Sequence, residues 1–112
     1  MGKTNKQILM EARELISRPK RWGQGYYAQN TSGEMVGPLD EDAVCFCGHG
    51  ALLKVLNESP LSAGNEFYQC AGILKKFTPT TERSSYFPYF NDAIETTHEE
   101  VLAVFDKAIA SL

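Results

Sequence analysis

The sequence predicts a mainly α protein: a compact four-helix domain with a glycine- and aromatic-rich loop, or a marginal β-hairpin, between the first and second helices. Three observations predict it. Thr4 with Gln7 and Thr97 with Glu100 have the form of capping boxes, in which two side chains reciprocally satisfy backbone groups at a helix start. Apolar residues recur at helical spacing behind both pairs, and again over residues 67–77. Residues 20–38 hold four glycines and no helical period. At 112 residues the chain is expected to form a single domain, residues 1–112, around one core.

The first helix is expected over residues 5–18, with Ile8, Leu9, Ala12, Leu15 and Ile16 on one face. Pro19 ends it, since its ring disfavours the helical conformation of Arg18 and it carries no N–H. The following segment, "KRWGQGYYAQNTSGEMVGP", has one turn-like cluster, Asn30 to Gly33, between "YYAQ" and "EMV". A two-stranded ribbon there is unstable alone and must lie on helices, with Trp22, Tyr26 or Tyr27 as its buried contact.

The second and central helix is expected to begin near Pro38, with Asp40, Glu41 and Asp42 in its first turns, and to run through "AVCFCGHGALLKVLN". Gly48 and Gly50 would each cost it about 1 kcal/mol relative to alanine. Compensation is expected from a stripe of small residues, Ala43, Cys47, Gly50 and Ala51, that lets another helix or the tryptophan loop approach closely. A third helix carries Phe67, Cys70, Ala71, Leu74 and Phe77 inward and is closed by Pro79. A long connection, "TPTTERSSYFPYFND", returns its aromatic end to the core, and the fourth helix follows from Thr97 with Val101, Val104, Phe105, Ala108 and Ile109 inward.

Three segments taken together carry a resemblance: Trp22-Gly23-Gln24-Gly25-Tyr26, Ala43 through "FCGHGAL", and Phe90-Asn91-Asp92 followed by Thr97 and "EEVLAVFDKAI". The chain resembles, over nearly its whole length, a family of small uncharacterised proteins from bacteria and their phages. That family shows Trp-x-x-Gly, Cys-x-x-Gly-Ala-Leu and Trp-Asn-Asp segments with a Thr-x-x-Glu-Val helix in this order. This sequence departs from the pattern in carrying Phe90 at the position of the third segment's tryptophan. The resemblance implies a shared fold and brings with it no activity, cofactor or catalytic residue.

Several chemistries are disfavoured by spacing alone. Cys45-x-Cys47-x-His49 lacks the two to four intervening residues and the four ligands of structural zinc sites, so no metal and no cofactor is expected, and the three read as two small buried or half-buried thiols and a His49 on the polar face of the second helix. An odd number of cysteines, 3, fits reduced thiols in a cytoplasmic protein better than a secreted disulfide framework. Cys47, His49 or His98, and Asn91 nominally supply a thiol-catalysis set, but a nucleophilic thiol wants a helix start or a cationic neighbour, and Cys47 reads as interior to the second helix. No catalytic residue is assigned. Trp22 through Gly25 has neither the Walker spacing nor a strand-to-helix setting for phosphate. Nothing approaches the roughly 18 apolar residues of a membrane span, and the N-terminus lacks a signal peptide's apolar region. Residues 1–21 are basic and residues 91–112 acidic, which reads as two helices whose solvated faces attract; with a net charge of −3, nucleic acid is a weaker reading of the basic end.

One pair is not needed as a helix cap. Thr97 and Glu100 cap the last helix, so Asn91 and Asp92, directly behind Tyr89 and Phe90, either shape the turn that enters that helix or, as is expected here, bond at long range to the glycine-rich backbone around Trp22 and Gly25. Trp22, Gln24, Cys47, Asn91 and Asp92 are therefore the candidate binding or structural site. The functional expectation is a non-enzymatic interaction or regulatory module of phage or mobile-element type with a protein partner. The alternatives are a small-ligand binder or enzyme using a pocket near Trp22, Cys47, Asn91 and Asp92, and, more weakly, a binder of single-stranded nucleic acid through Arg18, Lys20, Arg21, Trp22, Tyr26 and Tyr27. Nothing in the sequence sets an oligomeric state.

Overall fold

The structure, a computed structural model, describes residues 2–79 and 86–112. Thr4 opens α1 (Asn5–Leu15) as a full capping box: its hydroxyl accepts the Gln7 amide at 3.1 Å, and the Gln7 side chain accepts the Thr4 amide at 2.8 Å. Ile8, Leu9 and Ala12 are buried along it, and Ile16 just beyond. The helix stops three residues short of the expected end at 18. Arg18, preceding a proline, is extended at φ −97° and ψ 140°, and the chain turns there into a short 3₁₀ segment, Pro19–Arg21.

The excursion after α1 is a three-stranded antiparallel sheet, one strand richer than the expected ribbon. Its strands are β1 (Ala28–Gln29), β2 (Met35–Val36) and β3 (Cys45–Phe46), in the order β2-β1-β3. Ala28 pairs with Val36 on one side and Phe46 on the other. The buried contacts of the sheet are Ala28 and Phe46 with half-buried Trp22, whereas Tyr26 and Tyr27 stay largely exposed.

The start of the second helix is the main correction. Asp40 does not open a helix: its side chain accepts the Asp42 amide at 2.8 Å, an Asx turn that competes with helical bonding. Val44 N–H then donates to the Gln29 carbonyl and Cys47 N–H to the Tyr27 carbonyl, so residues 44–47 spend their backbone groups on the sheet. Helix α2 (Gly48–Leu56) begins only at Cys47, which is its N-cap rather than an interior residue, and Ala43 lies outside the stripe of small residues. The close approach expected at Gly50 is made by main chain: a Cβ there would fall on the Tyr27 carbonyl oxygen, and one on Gly48 would fall on the Phe87 ring. The helix ends at Asn57 in the left-handed conformation, φ 57°.

Helix α3 (Asn65–Phe77) buries Phe67, Cys70 and Leu74 and is followed by Pro79. The middle of the expected connection, residues 80–85, lies outside the described residues. Its aromatic end forms an additional short helix, α4 (Phe87–Asp92), with Pro88 in the first turn and Phe87, Phe90 and Asn91 buried. Helix α5 (His98–Ala110) starts from the Thr97 and Glu100 capping box and buries Val101, Val104, Phe105 and Ala108. Helix α2, buried from Gly48 through Leu53, packs on α1, α3 and α4, while α5 closes against α1 and α3. The oppositely charged ends meet where the Arg13 guanidinium grips both Asp106 oxygens, at 2.6 and 3.3 Å, across α1 and α5. Among the described residues no helix is long and apolar enough to cross a membrane.

Candidate functional site

Asn91 sits in the last turn of α4, 1% exposed, and uses every hydrogen-bonding position an amide has. Its Oδ1 accepts Trp22 Nε1–H at 2.9 Å and the Gly48 amide at 3.1 Å; its Nδ2 donates to the Gly23 carbonyl at 3.1 Å and to Asp92 Oδ1 at 3.0 Å. Indole nitrogen is a donor only, which fixes the orientation of the amide. One side chain thereby joins the tryptophan loop, the first amide of α2 and α4.

The neighbouring residues extend this junction. Asp92 Oδ1 also accepts the Gly25 amide at 2.9 Å, and Gly25 takes φ 88°, where a side chain would be strained. Gln24 answers from the loop: its Nε2 reaches the carbonyls of Asn91 at 3.0 Å and Ala93 at 2.7 Å, satisfying groups that the end of α4 leaves without helical partners. The Trp22 ring packs on His98 with centroids 5.7 Å apart, and His98 Nε2–H donates to the Ile16 carbonyl at 2.6 Å. All five residues singled out in the sequence meet in this region, the fifth being Cys47, whose N-cap position adjoins the Gly48 amide held by Asn91.

Beside the junction opens a cavity of about 270 Å³, walled by Tyr26, Tyr27, Met35 and Phe87 and bounded by His49 and Asp92. His49 is buried against Phe87, stacked at 5.3 Å, and against Phe67, edge-on at 5.3 Å. It therefore does not occupy the polar helix face that its sequence position suggested. Burial pushes its pKa down to about 4, partly opposed by the charge of Asp92, and its Nε2 has no hydrogen-bond partner among the described residues. A second cavity of about 270 Å³ on the other side of His49 is lined by Tyr27, Tyr68 and Tyr86, and Tyr86 meets Tyr89 edge-on at 5.0 Å. The 5 tyrosines of the chain are thus linked through two cavities and one ring contact into a continuous surface.

A family model describing DUF6197, a family of unknown function, matches residues 1–111. The chain belongs to the DUF6197 family. No curated protein and no solved structure matches it.

Two groups of this DUF6197 chain look reactive by position and are not so by environment. Cys47 stands where a helix start favours a thiolate, and its Sγ accepts the Gly50 amide at 3.3 Å. Burial nonetheless pushes the thiol up to about 12. With His49 near 4, the two leave neutral pH in opposite directions, so neither is charged there, and the backbone amides of Gly50 and His49 that favour the thiolate do not outweigh its burial. Cys70 is raised as well, to about 11, by burial. Among the described residues no group of three or more His, Cys, Asp and Glu is placed to hold a metal ion. Met35, Tyr68, Tyr86 and Phe87 were not singled out in the sequence. The available signal was the Tyr86 and Tyr89 spacing of three around Pro88, a helical period in a segment that reads as loop.

Proposed function

We propose that the protein is a non-enzymatic recognition module and that its working surface is the continuous tyrosine face. The observation that carries this reading is the clustering of all 5 tyrosines on one surface, each between 41% and 65% exposed. Tyrosine presents a large, stiff, amphipathic contact area, and it concentrates at the energetic centres of protein interfaces. Met35, 68% exposed, adds an adaptable apolar contact at the rim. Asn91 beneath it makes every hydrogen bond that its amide can make, as suits a scaffold that presents a surface. The buried thiol and the neutral imidazole favour recognition over chemistry.

Affinity capture from host extract by the full chain, compared with a Tyr26→Ser, Tyr89→Ser double variant, tests the reading. Both side chains are exposed, so the variant keeps the core. A protein held by the parent and lost by the variant is expected. Equal capture, or none by either, overturns the proposal. The small-ligand reading draws on the unpartnered His49 Nε2 beside a cavity of about 270 Å³, just under the roughly 300–1,000 Å³ usual for ligand pockets. The nucleic-acid reading loses Trp22 as a stacking platform, because it is tied at its nitrogen to Asn91 and on its ring to His98, and rests on the exposed Arg18, Lys20, Arg21, Tyr26 and Tyr27 alone.

A further inference from the structure

We propose that the cavity beside Asp92 is the seat of one cationic side chain, a guanidinium or ammonium group, presented by the protein partner of the tyrosine face; the inference rests on that face being the recognition surface. The hydrogen-bonding inventory carries it. Asp92 Oδ1 is committed to the Gly25 amide and to Asn91 Nδ2, while Oδ2 has no hydrogen-bond partner and no ion pair among the described residues. The N–H groups nearest the carboxylate are consumed: Gly25 N–H by Asp92 itself, and both hydrogens of Asn91 Nδ2 by Gly23 and Asp92. Cys47 Sγ acts as an acceptor for Gly50. The cavity accordingly offers a negative charge, its other polar side chains being those of Tyr26, Tyr27, Cys47, His49 and Asn91, and among the described residues no lysine or arginine lines it.

An anion would meet that carboxylate with no cationic side chain among the described residues lining the cavity to offset the repulsion, and a neutral apolar group seated there would take water from the exposed carboxylate and leave it unpaired. A cation on an alkyl stem satisfies both halves of the site. Its stem lies along Tyr26, Tyr27, Met35 and Phe87, and its N–H donors meet Asp92 Oδ2 near rings whose faces attract positive charge. The volume, about 270 Å³, suits a single long side chain better than a drug-sized molecule. The net charge of −3 draws basic partners toward the protein at long range.

The test is a titration of the full ¹⁵N-labelled chain, read by amide chemical shifts, with Nα-acetyl-arginine amide and with its uncharged near-isostere Nα-acetyl-citrulline amide. Saturable shifts confined to Gly25, Tyr26, Tyr27, Met35 and Asp92 are expected with the arginine compound, and binding of the citrulline compound is expected to be at least about tenfold weaker. Asp92→Asn keeps an oxygen for the Gly25 amide and removes the charge, and is expected to lower arginine affinity by a similar factor while leaving Trp22 emission unchanged. Should that variant disturb the fold, the comparison of arginine with citrulline on the parent chain decides alone. Equal binding of the two compounds, shifts elsewhere, or no shift at all overturns the proposal. Tighter binding of agmatine, which has the guanidinium without a peptide backbone, would assign the cavity to a free amine and overturn the partner side chain. Failure here is separable from failure of the recognition face: partner capture that survives Asp92→Asn and is lost with the tyrosine variant leaves the face standing without the cation.

Discussion

Trp22 Nε1 and Asn91 Oδ1 lie 2.9 Å apart, and the same oxygen holds the Gly48 amide, so a residue of α4 bonds at once to the loop after α1 and to the start of α2. Asn91→Ala leaves the indole N–H, the Gly48 amide and the Gly23 carbonyl without this partner. The Gly48 bond is buried and the other two part-buried, so at about 1–3 kcal/mol for a buried group left unpaired a loss of at least about 1 kcal/mol is expected. Urea unfolding followed by the emission of Trp22, the 1 tryptophan of the chain, measures it. A midpoint equal to that of the parent would show the amide to be dispensable.

Asp92→Ala removes one acceptor of Asn91 and the acceptor of the Gly25 amide, the latter far from α5 in sequence. Amide exchange is expected to rise over residues 22–27. A rise restricted to residues 93–100 would make Asp92 a local turn former. Asp92→Asn is expected to leave exchange over residues 22–27 near the parent level.

Glycine substitutions separate close packing from helix propensity. Gly50→Ala drives a methyl group into the Tyr27 carbonyl and is expected to destabilise by about 1–3 kcal/mol. Gly72→Ala, on the exposed side of α3 with nothing near its added carbon, is expected to stabilise by up to about 1 kcal/mol. Thermal melts of the two variants should move in opposite directions. Equal shifts would refute the contact.

His49 makes stability depend on pH with a definite sign. Its pKa is lowered to about 4 in the folded state from the ordinary 6.5, so the unfolded chain takes up the proton first as pH falls. The contribution is complete above about pH 6.5 and is lost progressively down to about pH 4, amounting to roughly 3 kcal/mol. His49→Phe fills the same aromatic stack without a titrating nitrogen. The stability difference in favour of that variant is expected to widen between pH 7 and pH 4.5, and a constant difference would contradict the assignment.

Alkylation should follow burial rather than helix position. Cys45 is partly exposed, whereas Cys47 and Cys70 are buried with thiols at about 12 and about 11. Iodoacetamide at pH 8 is expected to modify Cys45 first and to reach the other two only on unfolding, as resolved by mass spectrometry of peptides. Rapid labelling of Cys47 would reopen thiol chemistry at the start of α2.

The elements legible in the sequence are those stabilised by their own neighbours. Both capping boxes are present with both reciprocal bonds, because their partners are three residues apart and need no tertiary context. The inward faces of α1, α3 and α5 follow from period alone. Residues 40–47 read as helix because an acidic run is favourable in a first turn, yet Val44 and Cys47 donate to Gln29 and Tyr27, partners that only the folded sheet supplies. The misplaced start put Cys47 inside a helix and His49 on a polar face. The bonds of Asn91 and Asp92 to Trp22, Gly23 and Gly25 could be anticipated, since a glycine-rich loop needs partners for its backbone. The tyrosine face could not, because its tyrosines come from three separate segments, 26–27, 68 and 86–89, that carry no common period.

The junction at Asn91 also orders events during synthesis. Its partners Trp22 and Gly48 precede it by 69 and 43 positions, so both must wait, hydrated, until α4 has left the ribosome. A chain broken off before residue 91 has Tyr26 and Tyr27 but lacks the side chains that pin their loop, the amide of Asn91 and the carboxylate of Asp92. The loop around Trp22 and Gly25 thus takes its final form only when most of the chain has been made, so a shortened product keeps the tyrosines without the bonds that fix where Tyr26 and Tyr27 lie.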